Sequence, residues 1–435
     1  LLAIAHCYAI QLPTRDRIGL WRELSRPRAI YNVLPYTSRG GGSDYPVYVH
    51  RIQRSLLEKF DMPDGIVLNE ALCENVFTML TCIHNRLPLI IVGQPGSSKT
   101  LAMRLVRDNF SLTNKTAFFR DWPSVEVIPF QCSPLARAEG IEHTFALAQK
   151  KQQVAAEKNA DVIVVVLLDE VGLAEQSPHR PLKVLHRLLE PTHIESGTQV
   201  ACVGLSNWRL DAASMNRTTF LFRVPPSSKE LAKFTSGIVG DRIDAHLGYN
   251  QSADFFGALA DKYLKLVQRS ADVGMEGYFG LRDLYGLLKA IARLLSGSNQ
   301  QVEEVGLTPK LLLKCIARNF GGAGIADLSL QRIWNDFFKR DALRLFPARE
   351  VAAGSRRGVM AMPPLLELIR ANISETREKP DDARHLLLLV PAGAELSILQ
   401  TLQGQGVVPK QATIVLSSNF AEDTGDVHIG HRIEA

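Results

Sequence analysis

Two short strings in this chain carry residue types suited to work on phosphates. The first is Gly93-Gln94-Pro95-Gly96-Ser97-Ser98-Lys99-Thr100, set between the apolar run Leu87–Val92 and the helical pattern Leu101-Ala102-x-x-Leu105-Val106. A strand, a glycine-bearing loop and Lys-Thr at a helix start together make a cradle for a nucleotide's phosphates, a P-loop. Backbone N–H groups of the loop face the β-phosphate, Lys99 places a charge between the β- and γ-phosphates, and the Thr100 hydroxyl can ligate Mg²⁺. Ser98 departs from the general pattern, because a glycine usually precedes the lysine. The second string is Asp169-Glu170, at the end of Val162-Ile163-Val164-Val165-Val166-Leu167-Leu168. Such a continuous β-branched and leucine run is expected of a strand buried on both faces of a parallel sheet. Adjacent carboxylates at its carboxyl end read as a Walker B pair, with Asp169 in the Mg²⁺ shell and Glu170 orienting and deprotonating the attacking water. A polar turn and a solvated strand end are the plainer readings of the two strings. Their occurrence in this order on one chain favours phosphate chemistry.

The elements that must position these groups alternate along the chain. Asn69 to Asn85 has helical apolar spacing and leads into the strand before the loop; Val125 to Phe130 reads as a second strand, Ile141 to Glu157 as helix, Leu182 to Leu189 as a short helix, Val200 to Leu205 as a fourth strand and Thr219 to Val224 as a fifth. Strands alternating with helices predict an α/β fold, a parallel five-stranded sheet wrapped on both faces. From about Pro225 helical spacings dominate, and predict a helical lid subdomain whose leucine and aromatic stripes are core. The expected organisation is the end of a preceding helical region (1–30), a linker (31–60) centred on Ser38-Arg39-Gly40-Gly41-Gly42-Ser43, a nucleotide-binding α/β domain (61–226), the lid (227–372), a second linker (373–384), and the start of a further α/β module (385–435). In that last part His385–Val390 and Ala412–Leu416 read as strands, and Ala394–Leu402 as a helix.

Composition narrows the class. The 435 residues allow two or three domains with ample core, and 50 basic against 45 acidic residues leave a formal net charge of +5 without a basic stripe, so nucleic acid is not expected as the main ligand. Cys7, Cys73, Cys82, Cys132, Cys202 and Cys315 are dispersed, with no zinc spacing, as for buried thiols of a reducing, cytosolic compartment. No apolar run is long enough to cross a bilayer, so no transmembrane segment is expected. The chain begins at Leu1, and Leu1–Ile10 lacks a basic n-region and a cleavage site, so the sequence reads as a slice of a longer polypeptide.

A sheet domain with these two strings followed by a helical lid resembles an AAA+ P-loop NTPase module. The wording is similar to one family in particular. Leu87-Pro88-Leu89-Ile90-Ile91-Val92 with the loop through Ala102 resembles the P-loop of the mysterin family, the giant ring-finger AAA+ ubiquitin ligases of animals, which also carry serine before the lysine. Phe130-Gln131-Cys132-Ser133-Pro134, Leu168-Asp169-Glu170-Val171-Gly172-Leu173-Ala174-Glu175, Pro181-Leu182-Lys183, Ser206-Asn207-Trp208, Met215-Asn216-Arg217 and Phe279-Gly280-Leu281-Arg282-Asp283 resemble the same family in order. The resemblance implies ATP and Mg²⁺ as cofactors. It implies a γ-phosphate sensor at Asn207, a second sensor at Arg282 reaching back from the lid, and an arginine finger at Arg217 serving a neighbouring module; a turn asparagine, a surface arginine and a salt-bridged helix-end arginine are the respective alternatives. It also implies neighbouring AAA+ modules of the same chain as partners, with a ubiquitin-conjugating enzyme and ubiquitin engaged by regions that this sequence does not contain. By the same resemblance, lipid-droplet association is possible for the family. A module of a dynein- or midasin-like remodelling motor, a nucleotide-locked module with little hydrolysis, and a GTP-using ring remain alternatives.

Overall fold

The computed structural model describes residues 9–12, 16, 17, 19, 20, 45–63, 66–113, 115–190, 199–223, 225–247, 249–295, 308–321, 332, 336, 337, 364–378 and 393–408. The chain divides into two compact units, Leu1–Ala292 and Arg293–Ala435.

In the first unit the elements follow in the order α1 (Tyr45–Leu57), α2 (Glu70–His84), β1 (Leu89–Val92), α3 (Lys99–Asn109), β2 (Ser124–Gln131), α4 (Ala138–Glu157), β3 (Val162–Asp169), α5 (Val171–Glu175), α6 (Leu185–Leu188), β4 (Ala201–Ser206), α7 (Ala212–Met215), β5 (Thr219–Phe222), α8 (Ser228–Leu247), α9 (Tyr249–Asp272) and α10 (Leu281–Leu295). The strands form one five-stranded sheet, order β2-β3-β4-β1-β5, and every pairing is parallel. This is the α/β sheet expected from the alternation of strands and helices. Alternate residues of each strand enter two separate cores. Leu89, Ile91, Ile163, Val165, Val203 and Leu221 pack with α2 and α3 on one face. Ile90, Val92, Val164, Val166, Leu168 and Cys202 pack with Ile141 and Phe145 of α4 on the other. Burial on both faces explains why β1, β3 and β4 read as unbroken apolar runs rather than as alternating ones.

The helix α2 deserves its length to clear local signals. The Asn69 side chain caps it by accepting from Leu72 N–H at 2.7 Å, and Glu70 and His84 complement the dipole at its two ends. Its buried face is not wholly apolar, because Glu74 and Asn75 are both buried. Glu74 lies between two arginines. Arg17 reaches it at 3.0 and 3.1 Å and also donates to the carbonyls of Ile10, Leu12 and Phe222. Arg223, just past β5, bonds Glu74 and the carbonyl of Ala71. Burial alone would raise the Glu74 pKa; the guanidiniums of Arg223 and Arg17 outweigh it and hold the carboxyl below its ordinary range.

Two expected linkers are corrected. Within 31–60, Tyr45–Leu57 is helix, because Val49, Gln53 and Leu57 recur at four-residue spacing and are buried; Pro46 falls in the first turn, where its missing N–H costs no helical bond. Within 373–384, the helix α12 (Leu365–Glu378) of the second unit runs past residue 373. That unit also contains α11 (Pro309–Phe320) and α13 (Glu395–Gly404). There Lys314 pairs with Glu367 at 2.5 Å, Arg318 donates to Asn372 at 2.9 Å, and Ile369, Leu402 and Val407 form a small core. The glycine-rich string 38–43 and the strands read at 385–390 and 412–416 lie outside the described residues.

Replacing Glu74 leaves two guanidiniums uncompensated, so Glu74→Gln is expected to lower unfolding free energy by about 3–5 kcal/mol near neutral pH. Because the folded pKa lies below the ordinary value of 4.5, the carboxylate's contribution is complete above that value and is lost as pH falls through the depressed folded one. Urea unfolding should therefore show a gap between wild type and variant that narrows on acidification below pH 4.5. A gap that does not change with pH would contradict the ionic account.

Candidate nucleotide-binding site

All strands being parallel, their carboxyl ends share one edge of the sheet, and β4 lies between β1 and β3. The register places Val92 beside Ser206 and Leu168 beside Gly204. The residues that leave these three strands, Gly93, Asn207 and Asp169-Glu170, are therefore neighbours although they are far apart in sequence. A crevice outside the carboxyl ends of a parallel sheet is where such folds hold ligands.

The loop Gly93–Ser98 joins β1 to α3. Gly93 N–H donates to the Ser206 carbonyl at 3.0 Å, and a Cβ at Gly93 would stand 2.5 Å from that of Arg223. Gly96 has φ +87°, and a side chain there would meet the Cβ of Leu281 at 2.8 Å. Ser98, in the place usual for glycine, is left-handed at φ 61° and ψ 19°. A non-glycine residue there costs roughly 1–2 kcal/mol, so the surrounding structure must impose it. Lys99 begins α3 and is 8% exposed. Its ammonium donates to the carbonyls of Gly93 and Gln94 (3.1 Å for the latter), to Ser97 Oγ at 3.5 Å and to Asn207 Oδ1 at 3.0 Å. All four partners are neutral oxygens. Burial lowers the Lys99 pKa to about 8; the nearby charges of Glu170 and Asp169 oppose the shift, and that of Arg282 adds to it.

Asp169 ends β3, and its Oδ1 accepts from Glu170 N–H at 3.0 Å. Glu170 is also left-handed, at φ 51° and ψ 41°. This turn sends its side chain to Asn207, whose Nδ2 donates to Glu170 Oε2 at 2.5 Å. Asn207 thus links the Lys99 ammonium on one side to the Glu170 carboxylate on the other. Trp208 follows; the Ser206 hydroxyl donates to its carbonyl at 2.5 Å, and its indole lies against Gly172.

Of the residues singled out in the sequence, Gly93, Gln94, Ser97, Lys99, Glu170 and Asn207 meet through hydrogen bonds. Asp169 adjoins them, and Pro95 and Thr100 are exposed beside them. Arg282 stands at the start of α10, its backbone N within 3.4 Å of where a Gly96 Cβ would lie. Arg217 is not joined to the others: it donates to Ala213 O at 3.0 Å and lies 3.8 Å from Glu190. Sequence reasoning gave no role to Asn75, whose Nδ2 donates to the Ser97 carbonyl at 3.0 Å, nor to Arg223 or Trp208. The available signal was the pair of polar residues Glu74-Asn75 within an otherwise apolar helical face.

These residues fit the phosphates of a nucleotide. The loop leaves no room for a Cβ at Gly93 or Gly96, and a buried ammonium without a hydrogen-bonded carboxylate at a helix start is suited to receive an anion. Thr100 and Asp169 carry the oxygen donors that could hold a small divalent cation.

Residues 65–230 match the family described as the RNF213 AAA domain, a span that contains every one of these residues except Arg282. The chain is 35% identical over 382 residues to the E3 ubiquitin-protein ligase rnf213-beta of Danio rerio, an alignment covering 85% of this chain and 7% of that relative. It is 35% identical over 391 residues to RNF213 of Mus musculus, covering 86% and 7%, and 33% identical over 440 residues to RNF213 of Homo sapiens, covering 97% and 8%. The chain thus corresponds to a small part, 7–8%, of the length of these relatives. It belongs to the mysterin-like family, and it carries that family's AAA domain.

The Gly172 contact can be tested directly. A Cβ at Gly172 would stand 2.8 Å from Ser206 Oγ and from the Trp208 ring, whereas one at Gly257, inside α9, would meet nothing within 4 Å. Gly172→Ala is expected to destabilise by about 1–3 kcal/mol through overpacking. Gly257→Ala should stabilise by up to about 1 kcal/mol, as a glycine inside a helix gives way to a better helix former. Denaturant midpoints measure both, and equal shifts would contradict the packing described here.

Proposed function

We propose that this mysterin-like AAA module binds and hydrolyses Mg·ATP, with residues 61–226 as the nucleotide-binding domain and 227–372 as a lid. The observation that carries the reading is Lys99, a buried ammonium held by four neutral oxygens at the carboxyl edge of a parallel sheet. The carboxylates of Glu170 and Asp169 offset its burial only in part, and none of its four hydrogen-bond partners is charged, so phosphate binding relieves a cost that the fold bears.

Each residue then has a stated task. Gly93 to Ser98 offer backbone N–H groups, Lys99 binds the β- and γ-phosphates, and Arg282 reaches them from the lid. Thr100 and Asp169 hold Mg²⁺, which when bound neutralises charge on the phosphates. Glu170 accepts the proton of the attacking water, and Asn207 keeps Glu170 and Lys99 at a fixed separation. Arg217 acts on the nucleotide of an adjoining module, which requires exchange of its present Glu190 contact for a phosphate. Hydrolysis alters the angle between sheet domain and lid and so reshapes the multi-module core. By relationship to the RNF213 proteins, the parent chain is a cytosolic E3 ubiquitin ligase whose transfer region lies elsewhere in its sequence.

A second reading, a module that holds nucleotide without turnover, is favoured by one observation: the Glu170 carboxylate is already engaged by Asn207 at 2.5 Å. Substitution separates the two. Lys99→Ala loses a charge-assisted contact and should weaken ATP binding about 10- to 150-fold in calorimetry. Unaltered affinity would end the phosphate assignment. Glu170→Gln keeps shape and hydrogen bonds but removes the base, so binding should persist while turnover falls about 10²- to 10⁴-fold. The assay needs neighbouring modules present, with every other phosphate loop inactivated. Wild-type turnover in Glu170→Gln refutes the general-base role, and absence of turnover in the wild type selects the second reading.

A further inference from the structure

Asn75 is fully buried on α2, a helix whose other buried residues include the apolar Leu72, Val76 and Met79. Its Nδ2 donates to the Ser97 carbonyl at 3.0 Å, while its Oδ1 has no hydrogen-bond partner. A buried amide with one half unsatisfied is a costly way to fill a core, and an apolar side chain would fill it better. The half that is satisfied touches the loop at the peptide joining Ser97 to Ser98. That peptide leads into the left-handed Ser98, where the usual glycine would adopt the conformation without strain. Because a trans peptide is planar, holding the Ser97 carbonyl toward α2 also fixes the Ser98 N–H in the opposite direction.

We infer that Asn75 is a positioning residue of the phosphate loop: it holds the Ser97–Ser98 peptide in the orientation that a left-handed serine requires, and so substitutes for the glycine that this loop lacks. The inference rests on the nucleotide reading for its ligand, though its structural half does not. It makes the effect of Asn75 depend on the identity of residue 98. With serine there, the loop needs the anchor; with glycine, it needs it far less.

The test is a double-mutant cycle on the whole chain, with ATP as the probe in calorimetry, together with amide exchange of Ser98 and Lys99 measured without nucleotide. Asn75→Leu keeps the volume and removes the orphan oxygen, so thermal stability should hold or rise while ATP affinity falls about tenfold, the size of one lost anchoring hydrogen bond. Exchange at Ser98 and Lys99 should accelerate. In the Ser98→Gly background the same substitution should weaken affinity by no more than about threefold, the cycle reporting the coupling directly. Equal losses in both backgrounds would overturn the inference, as would lower stability with affinity and exchange unchanged. Should Asn75→Leu not fold, Asn75→Ala carries the same cycle. If the wild type binds ATP no better than Lys99→Ala, it is the nucleotide reading that fails. The exchange comparison then still decides whether Asn75 holds the loop.

Discussion

The site depends on one topological constraint, the position of β4 between β1 and β3 in an all-parallel sheet. Because β4 is the middle strand, the residue that follows it falls between the lysine after β1 and the carboxylates after β3. Asn207 is an amide, able to donate with nitrogen and accept with oxygen, and it uses both: toward Glu170 at 2.5 Å and from Lys99 at 3.0 Å. An aspartate there would face Glu170 with like charge, and a leucine would deprive Glu170 of this donor and Lys99 of one of its four acceptors. The amide satisfies opposite needs on its two sides without neutralising either charge. That matters for a site whose cation must stay available to an anion.

The same edge of the sheet carries backbone strain. Ser98 and Glu170 are both non-glycine residues in the left-handed region, each immediately after a loop or strand that delivers it to the site. Strained residues persist only where surrounding contacts over-determine them. For Glu170 those contacts are the Asp169 carboxylate on its N–H and the Asn207 amide on its side chain. For Ser98 they are the α3 hydrogen bond from Ala102 N–H to its carbonyl at 2.9 Å and the Asn75 anchor on the preceding peptide.

Most of the sheet was legible because each buried strand is a plain apolar run and each carries its chemical residue at its carboxyl end. The Lys99, Asp169 and Glu170 positions followed from local strings. The Asn207 position came from resemblance, and the structure supplies its physical reason, the strand order. What was not legible depends on pairings between distant segments. Nothing near Arg17 announces that its guanidinium will reach Glu74 and the carbonyl of Phe222, because that contact exists only once the sheet has formed. The helix Tyr45–Leu57 is hard to see in the sequence, since its buried face contains Gln53, and a polar residue at a core position weakens an apolar periodicity. Arg217, to which the resemblance assigns reach toward another module, contacts Ala213 and Glu190 within this chain.

The consecutive residues Glu74 and Asn75 join these observations. Through Glu74, α2 is tied to Arg17 and to Arg223, whose Cβ limits the space at Gly93; through Asn75 it is tied to Ser97. One helix therefore holds both ends of the phosphate loop, and the same ion network fixes the segment around Ile10 and Arg17 to the edge strand β5. Buried polar contacts of this kind add little net stability compared with apolar packing, since desolvation offsets most of their attraction. Their geometric demand is strict, however, because a displaced partner leaves a charge or an amide unsatisfied in the core. A shift of the Ile10–Arg17 segment would thus be felt first at Glu74 and then, one residue along the same rigid helix, at the loop. The loop's shape and the docking of the preceding chain are consequently parts of a single packed arrangement.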